Sequence, residues 1–207
     1  MKRTFFAIIA LLGFGLIALA GCGSGPGSPG SSGSEDTGVM LDASIVPLYN
    51  GTNTPSVDAF QDICKSGDPE IFTDHQATVT INSRLLNPTT KFTPGTLYVQ
   101  KYTIQYRRQN DSIGAPPIQS DTRYNTIIIT PPAGTATNTV TATLEFLDLT
   151  RKFQYHTDVT SGQYTSHGAF LNNYTAIYTF EGQNQFGTYF SFMAQADFQI
   201  GNFNNCQ

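Results

Sequence analysis

The sequence predicts an all-β protein, an antiparallel two-sheet β-sandwich. Three observations carry that expectation. Five long runs alternate apolar and polar residues with a period of two, the spacing of strands with one buried face. The stretches between them are rich in Pro and Gly, which break regular structure. Charged residues are scarce at 13%, while Thr, Tyr and Phe are abundant, a balance that favours strands over helices.

The chain opens with a different kind of segment. Lys2 and Arg3 precede an apolar run, Phe5 to Ala20, interrupted only by Gly13 and Gly15. That run is shorter than the ~20 residues a membrane-spanning helix needs. A positive start, a short apolar core and small residues before a cut describe a signal peptide. Leu19-Ala20-Gly21-Cys22 resembles the lipobox of bacterial lipoproteins at all four positions. The resemblance covers residues 1–22. It implies a leader over 1–21, cleavage between Gly21 and Cys22, and a covalent lipid on the Cys22 thiol. A thiolate attacks a lipid donor far more readily than a hydroxyl does. Several acyl chains on one residue make a durable anchor, because each buried methylene contributes roughly 0.8 kcal/mol. In that family inner-membrane retention goes mainly with Asp after the cysteine. Gly23 stands there, so the expected location is the outer membrane, with the facing side open.

Residues 22–38 then read as the lipidated Cys and a Gly/Ser/Pro tether without a large apolar side chain before Val39. Gly25-x-Gly27-x-x-Gly30 matches a dinucleotide-binding pattern in letters only. The pattern has meaning between a strand and a helix, and neither is expected here.

Residues 39–75 form an acidic extension with an edge strand over Val39–Tyr49 and a short helix over 56–64, for which Ser56 is the cap candidate. Between 35 and 74 eight acids face one base, Lys65. The sandwich itself spans 76–207. Val79, Ile81 and Leu85 are assigned to a buried face, then Tyr98, Tyr102, Ile104 and Tyr106. Val140, Ala142, Leu144 and Phe146 follow, then Tyr174, Ala176, Tyr178 and Phe180, and last the even positions from Phe190 to Ile200. Thr126–Thr130 adds a shorter apolar strand, and Gly182–Gly187 reads as a hairpin loop. The strand pattern resembles immunoglobulin-like and fibronectin-III-like domains in general form, but the chain has no Trp and no cysteine pair across the sheets. Tyr174 reads as a half-buried tyrosine, with a tyrosine corner as the alternative. A jelly roll or small barrel is the alternative architecture.

With Cys22 lipidated, Cys64 and Cys206 remain, and an oxidising compartment predicts a disulfide between them. The search for chemistry yields little. No G-x-S-x-G or H-E-x-x-H motif occurs, and no catalytic residue is assigned. His156 and Asp158 would share one side of a strand, but two ligands do not make a zinc site. Asp58, Asp62, Asp68, Glu70 and Asp74 offer oxygen ligands, with Asp68, Glu70 and Asp74 the weak calcium candidates, but without EF-hand spacing. Loss of Lys2 and Arg3 with the leader takes the formal charge from −4 to −6, which argues against nucleic-acid binding. Arg107-Arg108 and Arg151-Lys152 read as solvated strand ends. The expected role is a non-enzymatic structural or protein-interaction module of the cell envelope, held to the membrane by lipid and facing another envelope protein. The alternative is loop-mediated binding of a small ligand, glycan or calcium. No cofactor is expected besides the lipid.

Overall fold

The computed structural model describes residues 34–89 and 93–206. The leader, Cys22 and residues 23–33 of the tether lie outside the described residues. Nine strands and one α-helix occur among those described: β1 (Val39–Tyr49), β2 (Thr52–Asn53), β3 (Ser56–Asp58), β4 (His75–Leu85), β5 (Leu97–Arg108), β6 (Asp121–Ile129), β7 (Asn138–Leu147), α1 (Leu149–Thr160), β8 (Asn172–Asn184) and β9 (Tyr189–Gly201). A four-stranded sheet, β2-β1-β4-β7, packs on a five-stranded sheet, β3-β9-β8-β5-β6. The protein is an all-β sandwich of two sheets.

The alternating runs form the core. Val79 and Ile81 from β4, Leu144 and Phe146 from β7, Tyr174, Tyr178 and Phe180 from β8, and Phe190, Phe192 and Phe198 from β9 are all buried. Their rings stack in a column, with Phe180 and Phe192 4.8 Å apart and Phe146 edge-on to Phe198 at 5.0 Å. The buried tyrosines keep their hydroxyls satisfied, as buried polar groups must. Tyr178 donates to the Glu145 carbonyl at 2.7 Å and Tyr174 to the Pro116 carbonyl at 2.6 Å.

Several expectations change. The sandwich is not wholly antiparallel, because β3 pairs parallel with β9 from Ser56↔Gln199 to Asp58↔Gly201. Residues 56–64 contain that strand and no helix. The Asp58 carboxylate accepts the Phe60 N–H at 3.1 Å, a local turn that competes with helix formation, and Ala59 N–H donates to Gly201 O. Tyr98 points outward. The ladder slips between Val99 and Lys101, and the extra residue flips every side chain beyond it to the other face. Leu97 and Val99 therefore face the core with Tyr102 and Ile104. Gly182 belongs to β8 opposite this bulge. A Cβ there would lie 2.8 Å from the Tyr98 carbonyl carbon. The strand expected over Thr126–Thr130 is the last part of a longer one, β6, which stops at Ile129 and in which Ile128 is outward. Tyr174 is fully buried, and its hydroxyl reaches the β5–β6 connection rather than a nearby corner.

Helix α1 stands where the alternation reading placed strand ends. Asp148 caps it by accepting Arg151 N–H at 2.9 Å, and Lys152, Tyr155 and Val159 form its buried stripe. Arg151 is paired with Asp148 and Asp121, and Lys152 is fully buried, so neither is a solvated strand end.

The registers sort the connections into two ends of the sandwich. Val39 pairs with Leu85, and Leu97 pairs with both Ile129 and Asn184, so the chain enters at the end that carries loops 86–96, 130–137 and 185–188. The far end carries segments 50–74 and 109–120, α1 and the C-terminal tail. Cys64 and Cys206 form the disulfide there, with Cα atoms 5.5 Å apart.

Candidate functional site

Two places on the molecule concentrate chemistry. The first is sealed inside the far end. Lys152, Asp58, Glu70 and His75 are all buried. Lys152 Nζ donates to the Thr73 carbonyl at 2.5 Å and sits 4.6 Å from the Phe72 ring centroid. Burial lowers its pKa to about 8, against the attraction of Asp58, Asp74 and Glu70. His75 stacks on Tyr49 at 4.8 Å, and its Nε2 meets the Ser56 carbonyl at 3.2 Å. Burial first, and then the Lys152 charge, push His75 down to about 3, so it is neutral, with the proton on Nε2.

Asp58 is pushed up to about 7, by burial first and then by its hydrogen bond to Glu70. Asp58 therefore keeps its proton up to near neutrality, hydrogen-bonded to Glu70. Together they hold the C-terminal tail. Asp58 accepts Phe203 N–H at 3.1 Å and the Asn205 side-chain amide at 3.2 Å, and Glu70 accepts Asn205 N–H at 2.9 Å. This cluster is a structural clamp beside the disulfide.

The second place is the outward face of the five-stranded sheet. Ile128, Tyr98, Gln183 and Tyr189 are register partners across β6, β5, β8 and β9, so they form one transverse row near the entry end. Below them Tyr124, Lys101, Glu181 and Ser191 form another. Tyr124 is 83% exposed, Phe186 in the β8–β9 loop 64%, and Ile128 and Tyr189 54% each. Lys101 and Glu181 form an ion pair that raises the pKa of the first and lowers that of the second. Burial, and then Glu181, raise Tyr189. The face is thus aromatic, exposed and internally neutralised. At its other end an open groove of about 690 Å³ is lined by Arg107, Asp111, Thr175, Gln195 and Asp197.

No protein-family model and no curated protein matches this chain. Among solved structures, a crystal structure of a Northeast Structural Genomics Consortium target aligns over 82% of this chain and 91% of its own, at 9% identity and a TM-score of 0.28. At that score it bears on neither fold nor function.

The remaining sequence candidates are dispersed. Asp74 accepts the Leu149 N–H at 2.7 Å, at the start of α1. Asp68 lies in the loop next to the disulfide, where its carbonyl accepts Cys64 N–H. Glu70 faces Asp58. No group of three His, Cys, Asp or Glu able to hold a metal occurs among the described residues. His156 and Asp158 sit two apart on α1, which turns them to different sides. His156 packs edge-on against Phe60 at 4.5 Å, and Asp158 accepts the Gln154 amide at 2.8 Å. Sequence reasoning missed the outward tyrosines because it counted Tyr98 as core. The exposed ring of Tyr124 falls just before the apolar run that drew attention.

Proposed function

We propose that the chain is a lipid-anchored, non-enzymatic interaction module of the bacterial cell envelope, placed at the outer membrane. The observation that carries this reading is the order of parts. A lipobox-like Leu19-Ala20-Gly21-Cys22 leads through a Gly/Ser/Pro segment into a disulfide-bridged β-sandwich. A bridge closing most of the domain suits an oxidising compartment. We also read the sandwich as immunoglobulin-like. With the two- and three-residue strands β2 and β3 set aside, the orders β1-β4-β7 and β9-β8-β5-β6 support that reading, since they interleave early and late strands of the chain in two facing sheets as Greek-key sandwiches do.

Intact-mass analysis of the processed protein from the membrane fraction tests the anchor. The expected mass lacks residues 1–21 and carries acyl groups on Cys22. Co-purification from detergent extracts tests the interaction role, with a stable envelope partner as the expected result. The second reading, loop-mediated binding of a ligand, glycan or calcium, is favoured by the open polar groove near Arg107 and Asp197. A rise in melting temperature with such a ligand would support it.

A further inference from the structure

We propose that the outer margin of β7 is a self-association surface, and that its occupant is a second copy of this chain, paired strand to strand about a two-fold axis through Thr141. This names a partner for the interaction role above and rests on that reading.

Among the described residues β7 pairs on one side only, with β4. An open strand margin is a template for pairing with another chain, and folds blunt such margins with short strands, Pro, bulges or inward charges. The other margins of this sandwich carry these devices. β2 and β3 are two and three residues long. β1 contains Pro47 and lies beside β9. β6 is interrupted by the bulge opposite Val99 and Lys101, and its Arg123 turns inward to Asp121 and Asp148. From Thr139 to Thr143, β7 has no charge, no Pro and no bulge.

The hydrogen bonds at the far end of β7 show which backbone groups line its margin. Glu145 N–H donates to the Tyr102 hydroxyl at 3.2 Å, and the Glu145 carbonyl accepts the Tyr178 hydroxyl at 2.7 Å. Both groups therefore point away from β4. In an antiparallel ladder that direction alternates along the strand, so the N–H and C=O of Thr143, Thr141 and Thr139 point outward too. The Asn138 carbonyl, one residue out of phase, accepts the Ser83 hydroxyl from β4 at 3.3 Å. Glu145, already engaged by the two tyrosines, ends the open stretch. Val140 and Ala142 pack on the core but are only partly covered, since no strand lies beyond them among the described residues.

The stretch Thr139-Val140-Thr141-Ala142-Thr143 is complementary to itself. With Thr141 facing Thr141 of a second copy, Thr139 faces Thr143 and Val140 faces Ala142. Threonine meets threonine on the solvent side, a favourable cross-strand pair, and apolar meets apolar on the core side. No like charges meet. Each pair of facing threonines exchanges two N–H···O bonds, so every outward group from 139 to 143 gains a partner. The contact is isologous, so it consumes the margin of both copies and closes at a dimer rather than growing into a fibre.

The test uses the purified full chain under mild oxidation, read on non-reducing gels, with the parent as the baseline for the native cysteines. Facing α carbons of such a pair lie roughly 5.5 Å apart, a span a disulfide bridges. Thr141→Cys chains should therefore cross-link to one another. Thr139→Cys and Thr143→Cys should each give several-fold less dimer alone, and recover it when mixed, because 139 faces 143. Sedimentation at rising concentration should show a dimer for the parent and single chains for Thr141→Pro, which removes an N–H that the β4 ladder does not use. Thr141→Lys, which sets two ammonium groups across the axis, gives the same readout should the Pro variant fail to fold. Equal cross-linking of all three single variants, or association unchanged in Thr141→Lys, overturns the pairing. Chains that stay single while another envelope protein co-purifies overturn it in favour of a foreign strand and leave the interaction role standing. Single chains with no co-purifying protein overturn both.

Discussion

Replacing both Cys64 and Cys206 with Ser opens a loop whose ends are 142 residues apart in sequence. In the chain-entropy model a loop of that size lowers unfolded-state entropy enough to contribute about 5 kcal/mol at room temperature, an upper figure. The tail is not released altogether. Asp58 and Glu70 still accept the Phe203 and Asn205 N–H groups, so the native contacts largely persist and the loss falls on the unfolded side. For a domain of this size the full loss corresponds to a drop in melting temperature of roughly 10–20 °C. Urea unfolding followed by far-ultraviolet circular dichroism measures it. The double variant should unfold at lower urea with a steeper dependence on urea, because its unfolded ensemble is more expanded. A loss below about 1 kcal/mol with an unchanged slope would refute the reasoning.

Gly182→Ala puts a methyl group against the backbone of Tyr98 and Val99, and neither can move without undoing the β5 bulge. It is expected to destabilise by roughly 2–4 kcal/mol in the same urea assay. Tyr174→Phe leaves the Pro116 carbonyl without its buried donor and should destabilise by about 1–3 kcal/mol, read from the thermal melt. The far-end cluster predicts a pH signature. Asp58, raised from 3.8 to about 7, stabilises most at low pH and loses that contribution as pH rises through this window. His75, lowered from 6.5 to about 3, does the reverse, so the two oppose each other between about pH 4 and 6.5. Asp58→Asn should therefore give stability that climbs with pH over that range, and His75→Gln stability that declines. Parallel profiles for parent and both variants in pH-dependent urea melts would contradict the assignment.

How much of this was legible in the sequence varied with the range of the contacts involved. Alternation gave the inward faces of β4, β7, β8 and β9, because each residue's face there depends only on its immediate neighbours. It also placed Val39–Tyr49 with the limits the strand has. It failed at Tyr98, where a bulge set by Gly182 on another strand reverses the phase. It missed α1 because one of the three positions in the buried stripe is Lys152, so the helical period is written partly in a charged residue. The Asp148 cap was the available signal. The acidic stretch read as an extension outside the sandwich. Asp58 and Glu70 are instead covered by a tail about 140 residues away, a closure no local pattern announces. The tyrosine row is invisible in the sequence for the same reason, since its members come from strands far apart in the chain.

The antiparallel pairing of β1 with β4 has a mechanical consequence. Ten register pairs, from Val39↔Leu85 to Leu48↔Gln76, lie across the direction in which a pull on the entering chain, along β1, would act. If the body is gripped at the opposite pole, that force loads the whole ladder in shear rather than peeling it one rung at a time. The covalent cross-link near the C-terminus keeps the tail from paying out under the same load. A domain wired in this way resists tension well beyond what its equilibrium stability alone would suggest.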